Sequence, residues 1–183
     1  MSPEAFDRIE LLLLDVDGVL TDGRVTYTEA GDEFKSFHVR DGSALRMWSL
    51  LGKQTAVISG RSSQAVVRRM RELGIERVIQ GQSVKLPALE GLLKELDLTA
   101  DRVCAMGDDL PDLPILARCG LAACPADACE EVKGIAHFVS PKPGGSGAVR
   151  DTIEWLMKST GRWTELVQHL RDGTPIPMPA KGP

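Results

Sequence analysis

Ile9-Glu10-Leu11-Leu12-Leu13-Leu14-Asp15-Val16-Asp17-Gly18, continued by Val19-Leu20-Thr21-Asp22-Gly23, is a short apolar run that ends abruptly in paired acids. A strand with one wet face would alternate in polarity, so four leucines in a row suit a strand buried on both faces of a parallel sheet. The run is far too short to cross a bilayer. The same pattern recurs along the chain. Thr55-Ala56-Val57-Ile58 ends in Ser59, and Val103-Cys104-Ala105-Met106 ends in Gly107-Asp108, with weaker strand patterns at Arg77-Val78-Ile79 and Gly120-Leu121-Ala122-Ala123. Helical patterns lie between them: Gln64 to Leu73 stopped by Gly74, Leu86 to Leu96 with leucines at helical spacing, and Leu110 to Arg118 before Gly120. Strands alternating with short helices predict a Rossmann-like, three-layer α/β fold with a parallel sheet and right-handed crossovers.

One segment breaks the rhythm. Arg24-Val25-Thr26-Tyr27-Thr28 and Phe34-Lys35-Ser36-Phe37-His38-Val39 flank Ala30-Gly31-Asp32, which predicts a β-hairpin over about residues 24–39, projecting from the loop after the first strand. The expected organisation is a single domain over 1–172 and a flexible proline-rich tail over 173–183. Apolar residues make up 43% of the 183-residue chain, ordinary for a globular protein with a substantial core. A net charge of −4 gives no general attraction to nucleic acid or to an anionic membrane, so any functional cation acts locally. Cys104, Cys119, Cys124 and Cys129 form neither a metal-ligand pattern nor a dense framework and read as reduced thiols. Met1 to Asp7 carries no basic n-region, and the expected location is the cytoplasm.

The unusual polar residues fall at strand ends, and in an open parallel sheet ligands bind outside the carboxyl ends of the strands. Asp15, Asp17, Ser59 and Asp108 are therefore expected to meet in one crevice. A carboxylate at a strand tip can attack phosphorus to give an aspartyl phosphate, which is the role expected of Asp15. Asp17, two residues on, can protonate the leaving alkoxide and then take a proton from water. Gly18 lets the chain turn beneath a phosphate. Taken alone, Asp15-Val16-Asp17 would also suit a calcium loop or an acidic surface turn; the apolar strand before it and its partners favour phosphoryl chemistry. Hard carboxylate oxygens suit Mg²⁺, with Asp15, Asp108 and the Asp17 main-chain carbonyl as the expected ligands. Asp109 and Asp112 are candidates to support them, although acids are also favoured in a first helical turn. Ser59 and Gly60, at a strand end before a helix, offer a hydroxyl and backbone N–H groups to phosphate. Lys85, at a helix start where a cation is unfavourable without an anion nearby, is expected to hold phosphate too. Arg40, Arg46, Arg61 and Arg69 fall on segments near the crevice, and guanidinium groups bind carboxylates bidentately, which points to an acidic substrate.

With Asp15-Val16-Asp17-Gly18, Ser59, Lys85 and Gly107-Asp108-Asp109 in that order, the chain resembles the haloacid dehalogenase superfamily of phosphatases. Within it, the chain is similar to the 3-deoxy-D-manno-octulosonate 8-phosphate (KDO 8-phosphate) phosphatases of lipopolysaccharide sugar synthesis. The stretches that carry this likeness are Leu14 to Gly23, Val39-Arg40-Asp41-Gly42, Ile58-Ser59-Gly60-Arg61, Gln80-Gly81-Gln82-Ser83-Val84-Lys85, Gly107-Asp108-Asp109-Leu110-Pro111-Asp112 and Gly144-Gly145-Ser146-Gly147-Ala148-Val149-Arg150. The resemblance implies that Asp15 is the nucleophile and Asp17 the acid/base. It implies that Ser59 and Lys85 hold phosphate, and that Asp15, Asp17 and Asp108 hold Mg²⁺. His38, Val39, Arg40, Asp41, Gly42, Arg46, Arg61 and Arg69 would touch a phosphorylated sugar acid. The stretch between Gly23 and Lys53 leaves no room for the cap domain common in the superfamily, so neighbouring subunits of a homotetramer are expected to cover each crevice.

The nearest alternative is a related phosphatase acting on a nine-carbon nonulosonate 9-phosphate; Arg61 favours the octulosonate. A phosphomutase would need a cap to exclude water. A receiver domain carries its acidic pair and its phosphorylated aspartate on different strands, unlike Asp15-Val16-Asp17. A noncatalytic binding or assembly module would be signalled by loss of an acidic residue, whereas Asp15, Asp17, Lys85 and Asp108 are all present.

Overall fold

The computed structural model describes residues 3–175. In chain order the elements are α1 (Pro3–Asp7), β1 (Leu11–Leu14), β2 (Thr26–Tyr27), β3 (Glu33–Phe34), α2 (Val39–Leu50), β4 (Gln54–Ile58), α3 (Gln64–Leu73), β5 (Arg77–Ile79), α4 (Leu86–Leu96), β6 (Val103–Met106), α5 (Leu113–Leu116), β7 (Leu121–Cys124), α6 (Glu130–Ile135), β8 (Phe138–Val139), α7 (Ala148–Ser159) and α8 (Arg162–Asp172). Six strands form one sheet in the order β5-β4-β1-β6-β7-β8, every neighbouring pair parallel, and β2 and β3 pair separately as an antiparallel hairpin. The first strand thus lies near the middle of the sheet, as its polarity pattern requires.

The near-continuous apolar strands follow from a core on each side of the sheet. Leu12, Leu14, Val57, Cys104, Met106 and Ala123 meet Ala44, Leu45 and Trp48 of α2, Met70 of α3, and Val149, Ile153 and Leu156 of α7. Leu11, Leu13, Ala56, Ile58, Val103, Ala105 and Ala122 face the other way, onto Leu89 and Leu92 of α4, Ile115 of α5 and Val132 of α6. Each leucine of β1 is at most 2% exposed, and burying each contributes roughly 1.5–3 kcal/mol.

The elements differ from the sequence reading in three places. The helix expected over Leu110 to Arg118 is a 3₁₀ turn (Leu110–Asp112) followed by the short α5. Pro111 and Pro114 lack the N–H that a continuous helix needs, and each sits instead near the start of a fresh segment. The hairpin is shorter than 24–39. Its register pairs Thr26 with Phe34 and Tyr27 with Glu33, and Val39 is already helical, with Gly42 N–H donating to His38 O at 3.3 Å. The third difference is the helical C-terminal part beyond β7, where α7 packs as a buried helix against the first core. The proline-rich tail expected over 173–183 lies outside the described residues from position 176 onward. No helix among the described residues is long and apolar enough to cross a membrane.

Candidate active site

Register sets the site. Leu14 pairs with Val57 of β4 and Met106 of β6, so Asp15, Ser59 and Asp108 leave three adjacent strands at nearly one level. Asp15 N–H donates to Met106 O at 3.0 Å and Ser59 N–H to Ile79 O at 2.9 Å, which extends the sheet ladder into the crevice. At the start of α4, Lys85 Nζ lies 2.7 Å from Asp15 Oδ1 and 2.6 Å from Asp112 Oδ1. All three side chains are buried, at 9% exposure or less. Taking three charges out of water costs several kcal/mol per ion before pairing, so such a cluster is poorly explained by stability alone.

The loop glycines make this closeness possible. Gly18 adopts φ +98°, and a β-carbon there would overlap the Asp108 carboxylate. A β-carbon at Gly107 would overlap Asp112, and one at Gly144 would overlap the Gly18 carbonyl. Gly145 N–H donates to Val19 O at 3.0 Å, so the loop before α7 is clamped against the Asp15–Gly23 segment.

Asp15, Asp108 and Asp112 can each offer one oxygen, with all three oxygens within 4.8 Å of one another. Asp112 Oδ2 accepts from the N–H groups of Asp108 (3.0 Å) and Asp109 (3.4 Å), and with Oδ1 on Lys85 this carboxylate fixes the loop that carries Asp108. Asp108 Oδ1 is buried without a hydrogen-bond partner among the described residues. Burial, reinforced by Asp112, pushes the Asp15 carboxyl up to about 6; burial, reinforced by Asp15 and Asp112, pushes Asp108 up to about 8. Burial disfavours the charged form of Lys85, but the Asp15 and Asp112 carboxylates outweigh it and hold the ammonium above its ordinary range. An orphaned buried carboxylate oxygen among crowded acids fits a hard divalent cation such as Mg²⁺.

Asp17 stands at the edge of the crevice, its Oδ1 ion-paired with Lys35 Nζ. Lys35 also faces Glu33 Oε1 at 3.6 Å, and Glu33 accepts from Arg61 Nη2 at 2.8 Å. Arg61 reaches Tyr27 Oη at 3.4 Å, and these hairpin partners hold its guanidinium above its usual range. Ser59 is buried and its hydroxyl accepts from Arg61 N–H at 3.2 Å, while Gly60 is exposed beside it. Sequence reasoning passed over Lys35 and Glu33. Lys35 follows directly on β3 in a short hairpin, and its local sequence carries no signal of the contact with Asp17.

The remaining expected substrate contacts do not gather at the acids. Asp41 is buried and turned to the start of α7, accepting from Gly147 N–H at 3.2 Å and Arg150 N–H at 2.8 Å. That places a carboxylate against a helix N-terminus, where the dipole favours it. His38 lies beside it, with Nδ1 4.0 Å from Asp41 Oδ2 and without a hydrogen-bond partner among the described residues. Val39 and Arg40 are exposed. Gly42 leaves space for the Arg69 guanidinium, which bonds Glu72 at 3.3 Å; Arg46 donates to the Glu72 carbonyl at 3.0 Å. Arg46 and Arg69 thus turn to the last turn of α3.

The family model for haloacid dehalogenase-like hydrolases matches residues 75–151. The chain is 38% identical over 159 residues to 3-deoxy-D-manno-octulosonate 8-phosphate phosphatase KdsC of Haemophilus influenzae, covering 87% of this chain and 88% of that protein. It is 40% identical over 159 residues to the protein of the same name from Escherichia coli K12, covering 87% and 85%. Among solved structures it is similar to 3-deoxy-D-manno-octulosonate 8-phosphate phosphatase from Moraxella catarrhalis in complex with magnesium, phosphate and KDO. The two share a TM-score of 0.89 and 38% identity over 92% of this chain and 97% of that one.

Proposed function

This chain belongs to the 3-deoxy-D-manno-octulosonate 8-phosphate phosphatases among the haloacid dehalogenase-like hydrolases, and on that premise we propose how its residues perform the reaction. It is a phosphoric monoester hydrolase that cleaves KDO 8-phosphate to KDO and orthophosphate in lipopolysaccharide sugar synthesis. The observation that carries the reading is a strand-tip carboxylate held 2.7 Å from a buried ammonium, with a second orphaned carboxylate beside it.

In the proposed mechanism an Asp15 carboxylate oxygen attacks phosphorus and the ester P–O bond breaks. The departing sugar alkoxide takes its proton from Asp17. Water then attacks the aspartyl phosphate, giving up a proton to Asp17, and the bond to Asp15 breaks to release orthophosphate. Lys85 and the Ser59–Gly60 turn offset charge on the phosphoryl oxygens through both halves. Asp15, Asp108 and the Asp17 main-chain carbonyl would hold Mg²⁺, which when bound supplies charge neutralisation at the phosphoryl group. Asp112 supports this set by holding Lys85 and the Asp108 loop, with Asp109 beside it on the outer side. Arg61, at the mouth of the crevice, is the proposed partner of the sugar carboxylate.

A phosphate-release screen across phosphorylated sugars tests the reading. KDO 8-phosphate is expected to be hydrolysed faster than any nonulosonate 9-phosphate, with EDTA stopping release and added Mg²⁺ restoring it. A preference for the nine-carbon substrate, or turnover indifferent to chelator, would overturn it.

The assembly is a homotetramer in this proposal, located in the cytoplasm. What supports the assembly is the hairpin surface: Val25, Tyr27 and Phe34 are 43%, 60% and 60% exposed beside a crevice over which the described residues place no cap domain. Packed hairpins would bury these side chains and exclude water from the neighbouring site. Light scattering is expected to return the mass of four chains; a fully active monomer would refute the arrangement.

A further inference from the structure

The Lys35 side chain is only 1% exposed, yet it is carried on a surface hairpin and surrounded by charge. An ammonium buried this way is costly unless its partners are well placed. Its partners are the Asp17 carboxylate and, at 3.6 Å, Glu33. Glu33 in turn binds Arg61, which follows directly on the Ser59–Gly60 turn. The hairpin therefore joins the proposed acid/base to the proposed phosphate loop through the continuous series Asp17–Lys35–Glu33–Arg61.

Asp17 needs such a partner. Its side chain is 19% exposed, on a loop whose next residue is a glycine at φ +98°, and a free aspartate would sample several χ1 wells. A proton must reach the ester oxygen in one direction, because proton transfer depends on hydrogen-bond reach. We infer that Lys35 is the positioning residue for Asp17, fixing its carboxylate in the orientation that serves the leaving oxygen. The inference rests on the acid/base role proposed for Asp17.

The alternative is that Lys35 only fastens the hairpin, and the two roles part on the leaving group. A sugar alkoxide must be protonated as it departs, whereas p-nitrophenolate leaves without help. First-turnover kinetics isolate this half of the reaction, since hydrolysis of the aspartyl phosphate comes later. For Lys35→Met, the first-turnover rate on KDO 8-phosphate is expected to fall by about 10- to 100-fold, part of the roughly 10²–10⁴ that acid catalysis is worth. The substrate concentration that half-saturates this first turnover should stay within about twofold and the p-nitrophenol burst should be nearly unchanged, because neither depends on that proton. Lys35→Arg, which keeps the cation, should recover most of the lost rate. Lys35→Gln serves the same comparison should the methionine variant not fold.

Asp17→Asn run in parallel separates the two levels of the argument. It should show the same contrast between substrates more strongly. If it shows none, the acid role of Asp17 falls and the inference with it. If it does show the contrast while the Lys35 variants lose equally on both substrates, or lose nothing on the sugar phosphate, the positioning role alone is overturned.

Discussion

Asp15→Asn is expected to abolish turnover, a loss on the order of 10⁴-fold or more, since the neutral amide oxygen cannot form the covalent intermediate. The substitution is nearly isosteric at a position 8% exposed, so the packing around β1 is retained. The fold should survive for an electrostatic reason as well. Burial and Asp112 push the Asp15 carboxyl up to about 6, which marks its ionised form as unfavourable in the metal-free protein. Removing that charge relieves repulsion with Asp108 and Asp112 and leaves Lys85 paired with Asp112 at 2.6 Å. An inactive protein with an unchanged or higher melting temperature at pH 8, without chelator-stable phosphate on the chain, is the expected combination. Near-normal phosphate release would remove Asp15 from the role of nucleophile.

Gly18→Ala is expected to cost both activity and the protein's response to magnesium. At φ +98° any side chain is strained, and the added β-carbon would overlap the Asp108 carboxylate, so Asp108 has to swing away from Asp15. The readout follows from linkage. Asp15 and Asp108 are raised from 3.8 to about 6 and about 8. Raised acids contribute stability that is fully present below 3.8 and is lost as pH climbs through those two values. A divalent cation compensates most where both are ionised. In the wild type, Mg²⁺ should therefore raise the melting temperature more at pH 8 than at pH 6, by on the order of 5 °C, given roughly 2–4 °C per kcal/mol for a domain of this size. In Gly18→Ala that increment should vanish. If it persists undiminished, the Gly18–Asp108 contact is not what shapes the cation site.

Much of this arrangement was legible because the sheet is buried on both sides. Continuous apolar runs ending in Asp15, Ser59 and Asp108 marked β1, β4 and β6, and the glycine at 74 closed α3 where expected. What stayed hidden depends on contacts between distant segments. β8 is only two residues long, too little for any periodicity, and owes its place to pairing of Cys124 with Val139. The prolines at 111 and 114 broke the helix expected over Leu110 to Arg118 into a 3₁₀ turn and the short α5. Asp41 carries the signature of a binding residue in its local context. Its use as a helix cap needs the start of α7, far along the chain, to arrive beside it. Lys35 was hidden for the complementary reason, since a lysine in a short exposed hairpin gives no sign that its end reaches back to Asp17.

The clamp of Gly144 and Gly145 on the segment from Gly18 to Val19 bears on biosynthesis. Asp15 leaves the ribosome well before Gly144 and Gly145, the glycines that brace its loop. At translation rates of roughly 5–20 residues per second, a nascent chain spends seconds with its acids made and their backing missing. Catalytic competence thus waits until the segment around Gly144 has been made and has docked on the Asp15 loop.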